Sequence, residues 1–273
     1  MNKQIGIIGI GSMGKMLLNG LIRKEIVHQK KISVSTKTKE KLTQLKKEYP
    51  DITVFENNSD VAKNSDLLFI CVKPMEVGLL LDEILPSLSK KTHLVSIAAC
   101  VTIGNLEKKI KGKLSKIVPS LTSEIFEGIS LVTHNNQVTK QEKDLLETIL
   151  EKISSVKKIQ EKDVEIAGDL TSCAPGLIAA IFDEFVKAAL PFASFSKEEA
   201  AEMVVKTLYG TSKLIHDRKM SFSETLERVA TKGGITEEGA KVLQKRLPEV
   251  FKEVFQKTLE KHETVKAKIT SLF

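Results

Sequence analysis

The chain has 273 residues, of which 41% are hydrophobic and 28% are charged. This is the composition of an ordinary globular protein with room for about two domains, and it excludes a fibrous or disordered chain. The net charge is +7, its lysines are scattered along helical stretches, and the chain has no Trp. Scattered lysines are typical of a solvated surface, so we expect no nucleic-acid partner and a small anionic ligand instead.

Three cysteines, Cys71, Cys100 and Cys173, show neither a disulfide pattern nor zinc-ligand spacing. We therefore expect reduced thiols, no bound metal and a cytoplasmic location. No apolar run reaches the roughly 18 residues that a membrane span needs, so no membrane association is expected. The 5 histidines form no ligand pair at helical spacing, and none is predicted to be catalytic.

The first predicted element is a buried strand over residues 5–10, which leads into a glycine loop and then an apolar helix. The loop reads Gly9-Ile10-Gly11-Ser12-Met13-Gly14. A G-x-G-x-x-G loop between a strand and a helix predicts dinucleotide binding, whereas glycine clusters elsewhere often make plain turns. Gly9 permits the tight turn, Gly11 lets the backbone approach a pyrophosphate, and Gly14 lets the helix pack on the strand. The amides of the helix N-terminus then face the phosphates.

Strand and helix patterns continue to alternate up to residue 160. Further strands are predicted at 31–35, 52–55, 66–72, 93–97 and 115–119, with two possible edge strands at 128–133 and 155–159. The predicted helices between them cover residues 16–22, 38–49, 60–64, 77–88, 103–110 and 140–153. This alternation is typical of an α/β fold with a doubly wound, Rossmann-type parallel sheet.

Only helical periodicity remains from residue 161 to the end. Helices are predicted at 161–172, 175–189, 196–217, 221–230, 236–246 and from 248 onward. Ser196 and Ser221 each begin a capping box, and Pro175 suits the first turn of a helix. We therefore predict a dinucleotide-binding domain over residues 1–160 and an all-helical domain over residues 161–273.

The end of the second predicted strand indicates which nicotinamide cofactor binds. It reads Ser35-Thr36-Lys37-Thr38, without the carboxylate that NAD enzymes place there for the ribose. Hydroxyl groups and a lysine suit a 2′-phosphate, so NADP(H) is predicted over NAD(H), which remains possible. The alternative is that these residues only cap the following helix.

Two later strands also end where the ligands of such sheets lie. The first ends at Cys71-Val72-Lys73-Pro74, whose lysine points toward the cofactor cleft or lies on its rim. The second ends at Ile97-Ala98-Ala99, whose small residues would let a nicotinamide lie close to the backbone.

A glycine turn in the helical half, Lys232-Gly233-Gly234-Ile235-Thr236, precedes a helix. Two glycines before a helix N-terminus can form an anion-binding nest, which would suit a substrate carboxylate. Thr236 would be either the helix cap or a hydroxyl aimed at substrate. The alternative is an ordinary capped turn.

Taken together, these motifs resemble the pyrroline-5-carboxylate reductase family over essentially the whole chain. The most telling element is Gly233-Gly234-Ile235-Thr236 followed by Gly239 and Leu243. The resemblance implies hydride transfer from NAD(P)H to the C=N carbon of 1-pyrroline-5-carboxylate, giving L-proline. It also implies a homodimer or larger homo-oligomer formed through the helical domain, with active sites that draw on both subunits.

The resemblance further implies roles for individual residues. It places the substrate carboxylate on amides near Gly234, Ile235 and Thr236, and the Thr236 hydroxyl near the ring nitrogen. It places the cofactor on Ile8, Gly9, Ile10, Gly11, Ser12, Met13, Ser35, Asn58, Cys71, Val72, Lys73, Pro74, Ile97, Ala98 and Ala99.

Several positions depart from the family's pattern. Ser120 replaces an asparagine, Ser172-Cys173-Ala174 replaces a G-S-G sequence, Lys232 replaces a proline, and Cys100 replaces a glycine. Such departures resemble the divergent reductase-like proteins that are encoded with bacterial competence genes. The alternative function is therefore an NADP(H)-binding regulatory protein with weak or no activity. A dehydrogenase of small hydroxy acids is disfavoured, because Lys187 is followed four residues on by Pro191 rather than asparagine.

Overall fold

The computed structural model describes residues 3–273, and its first half is built on one eight-stranded sheet. The strands are β1 (Ile5–Ile8), β2 (Ile32–Ser35), β3 (Thr53–Val54), β4 (Leu67–Ile70), β5 (His93–Ser96), β6 (Lys113–Val118), β7 (Gly128–His134) and β8 (Ser154–Lys158). They are arranged in the order β3-β2-β1-β4-β5-β6-β7-β8. All eight predicted strands are present, most of them shorter by a residue or more at an end.

Strand β1 lies between β2 and β4 and runs parallel to both. All four of its residues are buried, as expected for an apolar strand covered on both faces. The chain passes from β1 to β2 on one side and later reaches β4 on the other side. The carboxyl ends of β1 and β4 therefore form the topological switch point at which ligands of doubly wound sheets bind. The predicted Rossmann-type sheet is confirmed in this part of the chain.

The sheet departs from parallel pairing at one of the two predicted edge strands, β7, which runs antiparallel to β6. Parallel neighbours need a crossover of about a dozen residues or more, usually a helix. Residues 119–127 join β6 to β7 and contain only a short 3₁₀ turn, Leu121–Ile125. Strand β8 pairs parallel with β7, because a helix over Lys140–Glu151 provides the crossover between them.

Helices cover both faces of the sheet and bury an apolar cluster on each. The helices of this half are α1 (Ser12–Arg23), α2 (Lys39–Glu48), α3 (Asn58–Lys63), α4 (Val77–Ile84), α5 (Ile103–Lys109) and α6 (Lys140–Glu151). One cluster joins the sheet to residues of α1, α2 and α6, such as Leu18, Leu45 and Leu150. The other joins it to residues of α3, α4 and α5 and to Ile269 near the C-terminus.

The C-terminal part is helical, as predicted, but two predicted breaks are absent. Its helices are α7 (Val164–Gly168), α8 (Ala174–Ala189), α9 (Lys197–Arg218), α10 (Phe222–Val229) and α11 (Ile235–Thr270). A π-helical turn, Asp169–Cys173, joins α7 to α8, so that Pro175 falls just beyond it in a helix that does not stop. The capping boxes at Ser196 and Ser221 are confirmed.

The second missing break is at Pro248, which lies inside α11 rather than at the start of a new helix. A proline removes one backbone hydrogen bond from a helix, yet its fixed φ is itself helical. Pro248 and Gln244, whose carbonyl loses its donor, are both exposed. Water can therefore satisfy that carbonyl, and the helix continues.

The chain forms two compact units. The first runs up to Pro175 and includes Thr258–Phe273, and the second is Gly176–Lys257. Residues 161–175 and the C-terminal segment thus belong to the same compact unit as the sheet. The boundary between the compact units therefore differs from the predicted domain boundary between residues 160 and 161. A functional division at that point stays a prediction. Over residues 3–273, none of the helices has the length and apolar character needed to cross a bilayer.

Candidate functional site

The glycine loop joins β1 to α1 with the geometry that a phosphate-binding turn requires. Gly9 has φ +97°, which side chains other than glycine rarely tolerate, and a Cβ there would lie 2.6 Å from the Cys71 carbonyl oxygen. A Cβ on Gly14 would lie 2.1 Å from the Gly9 carbonyl oxygen. These two glycines therefore let the turn close and let α1 pack against the strand end.

Gly11 differs from these two glycines, because open space lies beside it. A Cβ built on it meets no atom within 4 Å, and its φ of −78° is open to any residue. The steric reason for a glycine therefore lies outside the protein's own packing. Gly11 is exposed and caps α1, whose first-turn amides have no partners within the helix. The positive end of the helix dipole faces the same open space.

An open cleft of about 350 Å³ lies beside this loop, at the carboxyl ends of β1, β2 and β4. Most of the predicted cofactor residues line it. These are Ile8, Gly9, Ile10, Gly11, Lys37, Asn58, Cys71, Val72 and Lys73. The geometry thus brings together residues that are up to 65 positions apart in the chain, from Ile8 to Lys73.

The end of the cleft beside β2 carries a set of polar contacts that the sequence did not reveal. The Ser35 hydroxyl donates to Asn58 Oδ1 at 2.8 Å, and the Asn58 amide donates to Glu83 Oε2 at 2.9 Å. Lys37 Nζ donates to Glu76 Oε1 at 2.9 Å. The hydrogen bond from Lys37 holds the pKa of the Glu76 carboxyl below its usual range. Lys37 therefore already has an anionic partner at the edge of this cleft.

A second lysine at this end was missed in the sequence. Lys41 lies in α2, one helical turn beyond Lys37, and its Nζ donates to the Ile10 carbonyl oxygen at 3.4 Å. It also lines the cleft. Its place in the first turn of the helix that follows β2 could have indicated it. The capping alternative for this segment is not supported, because Thr38 precedes α2 without a side-chain capping bond.

The remaining predicted cofactor residues lie near the cleft rather than in its lining. Pro74 begins the 3₁₀ turn Pro74–Glu76, and Ser12 and Met13 form the first turn of α1. Beyond β5, Ala98 is buried while Ala99 is exposed. Ile97 and Met13 line a separate small cavity with Pro119 at the same edge of the sheet. Burial raises the pKa of the Cys71 thiol, so this cysteine is a neutral packing residue of the cleft.

The predicted nest in the helical unit is a closed glycine turn at the start of α11. Gly233 has φ +73°, and a Cβ on Gly234 would lie 2.5 Å from Thr231 Oγ1. The Gly233 amide donates to Glu237 Oε2 at 2.5 Å, and the Gly234 amide donates to the Thr231 carbonyl oxygen at 2.8 Å. In this structure the Gly234 amide closes the turn, and its binding of a ligand stays a prediction.

Ile235 and Thr236 carry the amides that this turn presents to solvent. They are the first two residues of α11, whose first-turn amides have no acceptor within the helix. Ile235 is 95% exposed, and Thr236 and Lys232 are exposed as well. The nest is thus accessible, carries the positive end of a helix dipole and has a lysine next to it.

Two positions that depart from the family pattern are tied into the β6–β7 connection. Ser120 is buried, and its hydroxyl lies 3.0 Å from the Thr122 hydroxyl. The Ser172 hydroxyl donates to the Pro119 carbonyl oxygen at 2.9 Å. Both serine hydroxyls therefore have hydrogen-bond partners in the β6–β7 connection.

A parallel sheet with an open glycine loop at its switch point defines a Rossmann-type dinucleotide-binding protein. Comparison with known proteins refines this class. A family model described as "NADP oxidoreductase coenzyme F420-dependent" matches residues 4–100, and one described as "Pyrroline-5-carboxylate reductase dimerisation" matches residues 161–265. The chain is 41% identical to pyrroline-5-carboxylate reductase 3 of Bacillus subtilis over 262 residues, which cover 96% of each chain. It therefore belongs to the pyrroline-5-carboxylate reductase family.

Other relatives cover nearly the same span. The ComE operon protein 4 of Bacillus subtilis is 31% identical over 95% of both chains. Among solved structures, a pyrroline-5-carboxylate reductase from Coxiella burnetii has a TM-score of 0.86 at 24% identity and covers 98% of this chain and 99% of its own. A Plasmodium falciparum pyrroline carboxylate reductase with NADP bound has a TM-score of 0.81 at 23% identity and covers 99% of this chain and 98% of its own. These two structures share the fold of this chain.

Proposed function

We propose that the protein is an NADP(H)-preferring reductase that converts the C=N bond of 1-pyrroline-5-carboxylate to the C–N bond of L-proline. The observation that carries this proposal is the open space above Gly11, at the switch point of a chain of this family. The family relationship supplies the reaction, and the glycine loop supplies the place for the dinucleotide.

The residues at the cleft fit a dinucleotide. The amides of Ser12 and Met13, in the first turn of α1, would hold the pyrophosphate over Gly11. Val72, Lys73 and Pro74, with Ile97, Ala98 and Ala99, would line the path toward the nicotinamide. Bound NADPH would supply the hydride, and the protein's contribution is to hold and orient both reactants.

The preference for NADP(H) depends on the lysines beside β2. A 2′-phosphate would take Lys37 from Glu76 and would lie within reach of Lys41. NADH lacks that phosphate and would leave the Lys37–Glu76 pair intact. The pair is exposed, with 78% of the Lys37 side chain accessible, so exchanging its partner costs about 1 kcal/mol or less.

The glycine turn of the helical unit would bind the substrate carboxylate. The Ile235 and Thr236 amides would donate to it, the positive end of the α11 dipole would favour its charge, and Lys232 would add a cation. The Thr236 hydroxyl would accept from the protonated ring nitrogen and hold the C=N bond in one orientation. Positioning of this kind lowers the barrier without a strong acid or base.

The protein is further proposed to act as a cytoplasmic homo-oligomer, with a homodimer formed through the helical domain as its smallest form. The match of residues 161–265 to a dimerisation family supports this assembly. So do the large exposed side chains of the second compact unit. Phe192, Phe222 and Ile235 are 91%, 83% and 95% exposed. Large exposed apolar side chains are more frequent in this unit than in the first, as expected for a surface that a second copy of the chain covers.

The competing function is an NADP(H)-binding regulatory protein without turnover, which the likeness to the ComE operon protein 4 and the lysine at position 232 favour. Calorimetry with NADPH, followed by NADPH oxidation with and without 1-pyrroline-5-carboxylate, separates the two. Binding together with substrate-dependent oxidation supports the reductase. Binding without turnover between pH 6 and 9 supports the regulatory protein, and absence of binding overturns both.

A further inference from the structure

A buried cluster in the first compact unit joins a cysteine, a histidine and an aspartate that no proposed function uses. Cys100 Sγ lies 3.4 Å from His262 Nδ1, and His262 Nε2 lies 3.0 Å from Asp169 Oδ1. Asp169 also accepts from the Thr258 hydroxyl at 2.6 Å on its other oxygen. The Asp169 side chain is 0% exposed and that of His262 is 19% exposed. The carboxylate thus holds the imidazole with Nδ1 facing the sulfur.

This arrangement has the geometry of an activated nucleophile, in which a base contacts the nucleophile and a third group orients the base. Its members come from three separate segments. Cys100 follows β5, Asp169 begins the π-helical turn, and His262 lies in the C-terminal part of α11. One ring nitrogen of His262 contacts Cys100 and the other contacts Asp169, so the imidazole lies between the thiol and the carboxylate.

The backbone at two of these positions is unusual in ways that need a reason. Cys100 adopts a left-handed conformation with φ +61°, which glycine favours and cysteine rarely adopts. Asp169 opens a π-helical turn, a rare element that is frequent at functional sites. Strained or rare backbone persists where the surrounding structure and a function require it.

We propose that Cys100, His262 and Asp169 form a nucleophile–base–orienter triad that reacts with small uncharged electrophiles of the hydroperoxide class. The thiol proton moves to His262 Nδ1 while the sulfur attacks one oxygen of hydrogen peroxide. An S–O bond forms and the O–O bond breaks. The leaving hydroxide takes the proton from His262 and departs as water. Cys100 is oxidised to a sulfenic acid, and the peroxide is reduced.

The other two cysteines allow a comparison of reactivity, with Cys71 as the independent control, because the Cys173 thiol interacts with Asp169. Burial raises the pKa of all three thiols, so none of them is a thiolate at rest. Over residues 3–273, Cys100 alone has a hydrogen-bonded histidine to take its proton. It is only 7% exposed, whereas Cys71 is partly accessible and Cys173 is exposed. If exposure decides reactivity, Cys173 reacts first and Cys100 last. If activation by a histidine decides it, Cys100 reacts first.

The test is brief exposure of the full-length protein to hydrogen peroxide, trapping of sulfenic acid with dimedone, and mass spectrometry of the three cysteine peptides. The proposal predicts that Cys100 is labelled first. His262→Gln and Asp169→Asn should each slow its labelling about ten-fold or more, as loss of general-base catalysis does. His216→Gln, on the exposed surface of α9, should leave the rate unchanged.

Labelling of Cys173 or Cys71 ahead of Cys100 in the unaltered protein overturns the proposal, whether or not the variants fold. An unchanged Cys100 rate in His262→Gln overturns it as well. A variant that merely loosens the unit would label all three cysteines faster. A loss confined to Cys100 therefore supports the triad.

Discussion

The open space above Gly11 predicts that a substitution there weakens cofactor binding without destabilising the fold. In Gly11→Ala, the added methyl group meets no protein atom within 4 Å, and the backbone φ of −78° suits alanine. The folded state therefore carries no new strain. The change in unfolding free energy should stay within about 0.5 kcal/mol, or show a gain of up to about 1 kcal/mol from the stiffer unfolded chain.

The effect on cofactor binding should be much larger. The methyl group would occupy the space that the pyrophosphate needs and would push it away from the first-turn amides of α1. Loss of one hydrogen bond to a charged group costs about 1.5–3 kcal/mol. At about 1.4 kcal/mol for each factor of ten, the Kd for NADPH should rise between about ten-fold and about a hundred-fold.

The assay combines calorimetric titration with NADPH and thermal unfolding of the same samples. Gly112→Ala is the matched control, because its Cβ would make an ordinary contact at 3.7 Å on a turn away from the cleft. Gly14→Ala is the opposite case, since its Cβ would lie 2.1 Å from the Gly9 carbonyl oxygen and should lower the Tm. An unchanged Kd in Gly11→Ala would refute the assignment of the loop to the cofactor.

Three further predictions concern other parts of the molecule. Glu76→Gln releases Lys37 from its ion pair and should tighten NADPH binding by up to about five-fold while NADH binding stays the same. Equal changes in Kd for both cofactors, in parallel titrations, would exclude Lys37 from the 2′-phosphate site. Thr236→Ala should lower kcat/KM about ten-fold to about a hundred-fold with an unchanged Kd for NADPH, and a kcat/KM equal to that of the unaltered protein would exclude Thr236 from the site. Burial, together with the nearby His134, lowers the pKa of His93 to about 4. Below about pH 6.5 the unfolded chain protonates this histidine while the folded protein keeps it neutral, so the free energy of unfolding falls by about 1.4 kcal/mol per pH unit from pH 6.5 toward pH 4. Denaturant titrations of His93→Gln should show a smaller fall in stability over this pH range. An identical slope in the variant and the unaltered protein would contradict this prediction.

The sequence predicted the glycine loop well because its information is local. Gly14 is required by its contact with the Gly9 carbonyl in the same strand–turn–helix unit, and Gly9 by its own positive φ. Both strands adjoining β1 were also predicted, and β4 was the clearer one, since a fully apolar run of this length indicates a buried parallel strand. The carboxyl ends of these strands then placed Lys37 and Lys73 at the cleft with no knowledge of its shape.

The errors concern features that depend on partners distant in the chain or on backbone context. Pro175 and Pro248 suggested breaks, yet a π-helical turn and an exposed carbonyl let the helices continue. The pairing of Lys37 with Glu76 joins residues 39 positions apart, and that of Asp169 with His262 joins residues 93 positions apart. Neither pair has a local pattern. The sequence also does not show that the Thr231 carbonyl accepts a hydrogen bond from the Gly234 amide, and the role of that amide toward a ligand stays a prediction.

The most direct test of the proposed reaction is to follow the hydride itself. The purified protein would be incubated with 1-pyrroline-5-carboxylate and NADPH that carries deuterium at the transferred position of the nicotinamide, and the product would be analysed by mass spectrometry. The proposed function predicts L-proline carrying one deuterium on the ring carbon that was part of the C=N bond, formed in proportion to the NADPH consumed. Failure to form proline, in a preparation that binds NADPH, would contradict the proposed function.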